Sequence, residues 1–168
     1  MPGLSSAHEL NVRTYVYLDN EPGVWFFSLD CNRAAAVMAA RMFYHLPYFN
    51  ADIEIEETES GINYSLERND EPEAQFEGSW KAGARLSRSE PGSIEFFLTE
   101  RYCLFTEHND SIYQARIHHL PWPLQKAELT SMRSTMIEAL GVSAPKGDPL
   151  VHYCEKLDVE LWGIHRLT

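Results

Sequence analysis

The chain has 168 residues, 44% of them hydrophobic and 12% aromatic, enough for one packed core and too apolar for a disordered or low-complexity protein. With 14 Lys and Arg against 25 Asp and Glu the net charge is −11, which argues against nucleic acid and anionic membrane surfaces as partners. Cys31, Cys103 and Cys154 are scattered without a C-x-x-C pair, no apolar run reaches the roughly 20 residues of a membrane span, and residues 1–16 lack a signal-peptide pattern, so a reduced, cytoplasmic protein is expected.

Residues 10–17 alternate: Leu10, Val12, Thr14 and Val16 take one face, and Asn11, Arg13, Tyr15 and Tyr17 the other, as in a half-buried strand. Asp19-Asn20-Glu21-Pro22-Gly23 is a turn cluster, and residues 24–29 follow as a second strand, apolar on both faces, completing a hairpin. Asp30 or Asn32 is placed to cap a helix over 34–43, which Pro47 stops. Residues 52–58 and 62–68 pair across Ser60-Gly61, with Ile53, Ile55, Tyr64 and Leu66 facing inward, and 74–81 add another strand. A polar loop at 87–92 leads to Ser93, the cap of a second short helix over 94–102. Residues 111–119, 124–130 and 157–162 complete the strands, and a third short helix over 131–140 ends at Gly141, a residue suited to a left-handed cap. About eight strands and three short helices, with no repeat or linker, describe one α+β domain: mainly antiparallel β, curved or partly closed, with helices near 33–45 and 93–102 packed on the sheet.

The residues able to carry chemistry fall on three segments. Glu9, Asn11 and Arg13 bring an acid, an amide and a guanidinium to one strand face, either as a pocket wall or as the wet face usual in antiparallel sheets. In the second helix Ile94, Phe97, Leu98 and Arg101 share a stripe. Arg101 there either snorkels to solvent or, if buried, pairs with Glu100 or with a ligand carboxylate through a bidentate fork. The stretch Ile117-His118-His119-Leu120-Pro121-Trp122-Pro123-Leu124-Gln125 packs two imidazoles, a tryptophan and two prolines into a rigid corner at the end of a strand. His118 and His119 point to opposite faces, so only one can enter a given pocket. For His119 a hydrogen-bonded core position and a general acid/base role both stand open. No metal-ligand spacing, phosphate loop, nucleophile elbow or H-E-x-x-H helix is present, so neither metal nor cofactor is expected, and Cys103 reads as core filling.

Five blocks then resemble the signature of a known family: Glu9-Leu10-Asn11-Val12-Arg13-Thr14-Tyr15-Val16, Gly23-Val24-Trp25-Phe26-Phe27-Ser28-Leu29-Asp30, His45-Leu46-Pro47-Tyr48-Phe49, Phe97-Leu98-Thr99-Glu100-Arg101-Tyr102 and His118-His119-Leu120-Pro121-Trp122-Pro123-Leu124. Running in order over nearly the whole chain, they resemble the YqjF-like family, a domain of unknown function that is similar in turn to the acetoacetate decarboxylase-like superfamily. The resemblance implies a curved antiparallel barrel around a central cavity. It also implies an acid at Glu9 and, after a Tyr-Pro, a Schiff-base lysine, but here Leu46-Pro47 is followed by Tyr48 and Phe49. The family usually carries several more strands' worth of residues before the Glu-Leu-Asn block, so the expectation is a single domain over 1–168 lacking those N-terminal strands and one cavity wall.

The candidate ligand contacts are therefore Glu9, Asn11, Arg13, Tyr48, Arg101, His119 and Trp122, for a small organic acid or ketone. The alternative is a non-catalytic remnant that pairs an open sheet edge with a second copy as a homodimer. None of Lys81, Lys126, Lys146 and Lys156 lies in a run that would desolvate it and make it an imine-forming nucleophile. Borohydride reduction in the presence of acetoacetate is expected to leave the protein mass unchanged; a stable adduct on any lysine contradicts this reading.

Overall fold

The computed structural model of the chain describes residues 7–167. The elements run β1 (Glu9–Leu18), β2 (Glu21–Cys31), α1 (Ala34–Tyr44), β3 (Tyr48–Thr58), β4 (Gly61–Arg68), β5 (Gln75–Arg85), α2 (Ile94–Thr99), β6 (Cys103–His108), β7 (Ser111–His119) and β8 (Gln125–Ser134). A 3-10 turn (Glu138–Leu140) and three short strands, β9 (His152–Tyr153), β10 (Val159–Leu161) and β11 (His165–Arg166), complete the chain. Asp19 and Asn20 join β1 to β2, and Asn109 and Asp110 join β6 to β7, all at positive φ between 51° and 64°. Two-residue turns of this hand follow the natural twist of the strands, and Asn and Asp tolerate the left-handed backbone that they require.

The strands form one 11-stranded sheet in the order β10-β7-β6-β2-β3-β4-β5-β8-β9, with β1 added on β2 and β11 on β7. Its path is open-ended, a partly closed curve in place of a sealed barrel. Most pairings are antiparallel, and β2 supplies the exceptions. It runs parallel to β3 from Leu29↔Tyr48 to Cys31↔Asn50, with α1 as the crossover, and parallel to β6 at Val24↔Leu104 and Trp25↔Phe105. One edge of β2 thus carries β1 along its length, and the other is shared by β6 and β3. Its continuous apolar run is what a strand covered on both faces requires. Gly23 lets it come close to β6, since an added Cβ would meet the Phe105 ring at 2.6 Å.

Two apolar clusters flank this centre. One joins Val24, Leu29, Leu46, Leu104 and Ala115, with Tyr15, Phe26, Tyr48 and Ile117 at its border; the other joins Ala51, Ile53, Leu66, Ala74 and Met136. Between β1 and β2 the register shifts: Val12 pairs with Ser28 and Arg13 with Phe26, leaving Phe27 as an extra bulge residue. The bulge keeps Val24, Phe26 and Leu29 on the same side as Arg13 and Tyr15 while Ser28 and Asp30 turn to the other.

Some local expectations are corrected. The helix over 131–140 does not form, because β8 continues to Ser134 by pairing with β5 at Phe76, and only residues 138–140 turn before Gly141 caps them at φ 76°. Tertiary strand pairing outweighs a weak helical preference. Helix α2 stops at Thr99 instead of 102, since Glu100 leaves helical geometry at ψ 71° and Cys103 opens β6, a strand with no expected counterpart. Neither Asp30 nor Asn32 caps α1; Arg33 holds that position without a side-chain bond, and Asn32 Oδ1 instead accepts from the His8 backbone N–H at 2.9 Å. Among the described residues no helix is long and apolar enough to cross a membrane.

Asp30 is taken by a buried ion pair with Arg68, at 0% and 2% exposure respectively. Arg68 Nε and Nη2 donate to its two carboxylate oxygens at 2.7 and 3.1 Å, Nη1 donates to Glu71 at 2.8 Å, and the guanidinium lies 3.8 Å from the centre of the Phe49 ring. Removing one partner leaves a buried charge uncompensated. Arg68→Met is expected to cost about 3–5 kcal/mol in urea unfolding, and the double change Asp30→Leu/Arg68→Met to recover much of it. A loss below about 1 kcal/mol in the single variant contradicts the assignment.

Candidate functional site

Strand β1 presents Glu9, Asn11 and Arg13 on the side that the bulge aligns with Val24 and Phe26. Across from them, Ser93 caps α2 by accepting from the Phe96 N–H at 3.1 Å, and Tyr15 ties the helix down by donating to the Leu98 carbonyl at 3.1 Å. The chain leaving α2 and the end of β7 close the other wall. Together Glu9, Asn11, Arg13, Val24, Phe26, Leu98, Thr99, Arg101, Ile117, His119, Trp122 and Val159 line a partly open cavity of about 280 Å³. That volume lies near the lower end for small-molecule sites, so it suits a compact ligand.

Arg101 does not occupy a helical stripe and does not snorkel: it follows the end of α2 and is only 7% exposed. Its guanidinium is 4.6 Å from the centre of the Phe97 ring and 5.5 Å from that of Tyr15. Nη1 donates to the Glu100 backbone carbonyl at 3.1 Å, while the buried Nε has no hydrogen-bond partner among the described residues. The Glu100 carboxylate is engaged elsewhere, by a short bond from the Tyr102 hydroxyl, which leaves Arg101 without an ion pair among the described residues. Trp122 Nε1, also at this cavity, is a second buried donor without an acceptor.

His119 is 6% exposed, whereas His118 faces outward beside Trp162. Its Nδ1 is 2.9 Å from the Leu120 carbonyl and its Nε2 is 3.2 Å from that of Arg101. Both neighbours are acceptors, so a neutral imidazole donates its one N–H to one of the two carbonyls, and the ring is stacked on Tyr102.

At the cavity's other end the Tyr48 hydroxyl donates to Glu9 Oε2 at 2.5 Å. Tyr48 does not line the cavity itself; it reaches the site through Glu9. Desolvation by the surrounding protein pushes the Glu9 carboxyl above its usual 4.5, with the Asp30 charge adding to it; the bonds from Tyr48 and Asn11 and the charge of Arg13 oppose the shift. Burial beside Glu9 raises the Tyr48 phenol as well, so it remains a hydrogen-bond donor. Sequence reading passes over Val24, Phe26, Leu98, Thr99, Ile117 and Val159; only the cross-strand pairing of Arg13 with Phe26 and Tyr15 with Val24 identifies the first two. Among the described residues no cluster of three His, Cys, Asp or Glu side chains could hold a metal ion.

Residues 1–158 match the family model DUF2071, described as an uncharacterized conserved protein. The chain is 40% identical over 166 residues to the uncharacterized protein YqjF of Bacillus subtilis (strain 168), across 99% of this chain and 69% of that protein. Among solved structures it is similar to acetoacetate decarboxylase from Legionella pneumophila subsp. pneumophila str. Philadelphia 1, with 14% identity and a TM-score of 0.50 over 94% of this chain. The chain spans 62% of the length of that enzyme, and the likeness is one of fold.

A raised acid pKa gives stability that is complete below the unfolded value and is lost as pH rises through the folded one. Glu9→Gln, which cannot ionise and still accepts from Tyr48, is expected to gain melting temperature relative to wild type as pH rises from about 4 to about 8. Parallel melting curves across that range contradict the shifted carboxyl.

Proposed function

Because the chain belongs to the DUF2071 family of uncharacterized conserved proteins and shares a fold with acetoacetate decarboxylase, we propose that its cavity binds a small carboxylated or carbonyl compound without Schiff-base chemistry. The observation behind this is Arg101. A buried guanidinium without an anion is costly, and a ligand carboxylate in the cavity supplies both the charge and an acceptor for Nε. Trp122 Nε1 offers a second donor to the same anion. The Asn11 amide offers a hydrogen bond to a carbonyl oxygen at the other end, beside Glu9, whose carboxyl desolvation raises above its usual range. Among the described residues no lysine lines the cavity, and Tyr48 and Phe49 stand where the resemblance to acetoacetate decarboxylases implies one.

A second reading, a self-associating protein, is favoured by the outer face of α1, where Met38, Met42 and Phe43 are exposed together. A panel of small organic acids and ketones in thermal-shift assays separates the two. A bound acid at 100 times its dissociation constant is expected to add about 2.7 kcal/mol of stability, and Arg101→Met to abolish the response to acids. No response across the panel, together with a light-scattering mass of two copies, transfers the reading to self-association; an Arg101→Met variant that responds like wild type removes Arg101 from the site.

A further inference from the structure

The cavity holds a second cation. Arg13, on β1, forms no ion pair among the described residues, and its guanidinium lies 5.7 Å from the centre of the Tyr15 ring. Arg101, on the opposite wall, lies 5.5 Å from the centre of that same ring. Two guanidiniums that form no ion pair among the described residues are thus gathered around one aromatic side chain, in a cavity of about 280 Å³. In a chain of net charge −11 this local concentration of positive charge runs against the bulk composition.

Glu9 is the sole acid lining the cavity among the described residues, and it cannot cancel both cations. Its second oxygen is occupied by Tyr48, and desolvation disfavours its ionised form. A monocarboxylate on Arg101 would also leave Arg13 facing the ligand unmatched. From this geometry we propose that the ligand is a short-chain dicarboxylate, one carboxylate on Arg101 and the Trp122 indole N–H and the other on Arg13. This rests on the cavity being a carboxylate site at all. Two guanidiniums carried by different segments, β1 and the chain after α2, are each a rigid fork of donors that can take one carboxylate of a diacid.

Titration calorimetry with acid pairs of equal chain length tests it: glutarate against valerate, and succinate against butyrate, with inorganic phosphate as a compact dianion. Wild type is expected to bind the diacid at least about tenfold more tightly than its monoacid, and phosphate no better than the monoacid. Arg13→Gln is expected to bring the diacid-to-monoacid ratio close to one, the diacid losing more affinity than valerate. Arg101→Gln is expected to lose both acids. Arg13→Lys, which keeps the charge and the β1 stem but not the fork, should retain part of the preference and guards against a folding defect in the Gln variant.

Equal binding of glutarate and valerate by wild type overturns the dicarboxylate inference and leaves the carboxylate site standing. So does a diacid preference that survives Arg13→Gln, or phosphate binding as tight as glutarate. Binding of neither acid overturns the carboxylate site itself.

Discussion

The bidentate bond between Arg68 and Asp30 holds the structure's centre in place. Asp30 lies on β2 and Arg68 on β4, and the guanidinium stacks on Phe49 of the intervening β3, so one buried contact clamps three strands at the point where β3 leaves α1 and joins β2. A fully buried carboxylate tolerates no other arrangement, because its charge must be matched where it stands. The clamp also fixes which way β2 faces. With Asp30 turned to the Arg68 side, Leu29 and Cys31 turn to the other, and Cys31 stands opposite Glu9 in the β1 register.

Beside this satisfied arginine the fold keeps an unsatisfied one. Arg68 has two carboxylates and an aromatic ring, whereas Arg101, nearly as buried, has rings, one backbone carbonyl and an unpaired Nε. The difference is one of placement. Arg68 closes a core, and Arg101 closes a cavity, its backbone carbonyl fixed by His119 and its neighbour Glu100 engaged by Tyr102. The Glu100 carboxylate is thus not the counterion of Arg101. In the proposed binding role, a guanidinium desolvated and held by packed aromatics would lose little further freedom, which is the physical content of a preorganised site.

Much of the architecture could be read from local signals. The alternation of β1, a hairpin turn within residues 19–23 (tighter than expected, since β2 already starts at Glu21), the apolar run of β2 and the Ser93 cap each rest on a backbone preference that neighbours reinforce, and β7 has the expected bounds. What local signals could not supply was long-range pairing. The strand β6 carries no period-2 pattern because Cys103 to Thr106 are buried on both faces, and β9 to β11 are two or three residues long. The extension of β8 to Ser134 depends on β5 as its partner. At the cavity, side-chain chemistry singled out Glu9, Asn11, Arg13, Arg101, His119 and Trp122, with Tyr48 outside the lining, yet for Arg101 the reason was wrong: the helix ends before it, and burial comes from the turn into β6. The bulge at Phe27, which aligns Phe26 with Arg13, had no marker in composition at all.

Arg101 awaiting an anion is the central claim, and a crystal structure of the protein grown with saturating glutarate tests it most directly. A carboxylate oxygen within hydrogen-bond distance of Arg101 Nε, with the side chain in its present position, is the outcome that the account predicts. A cavity empty of ligand, or Arg101 turned out to solvent or onto Glu100, would contradict it.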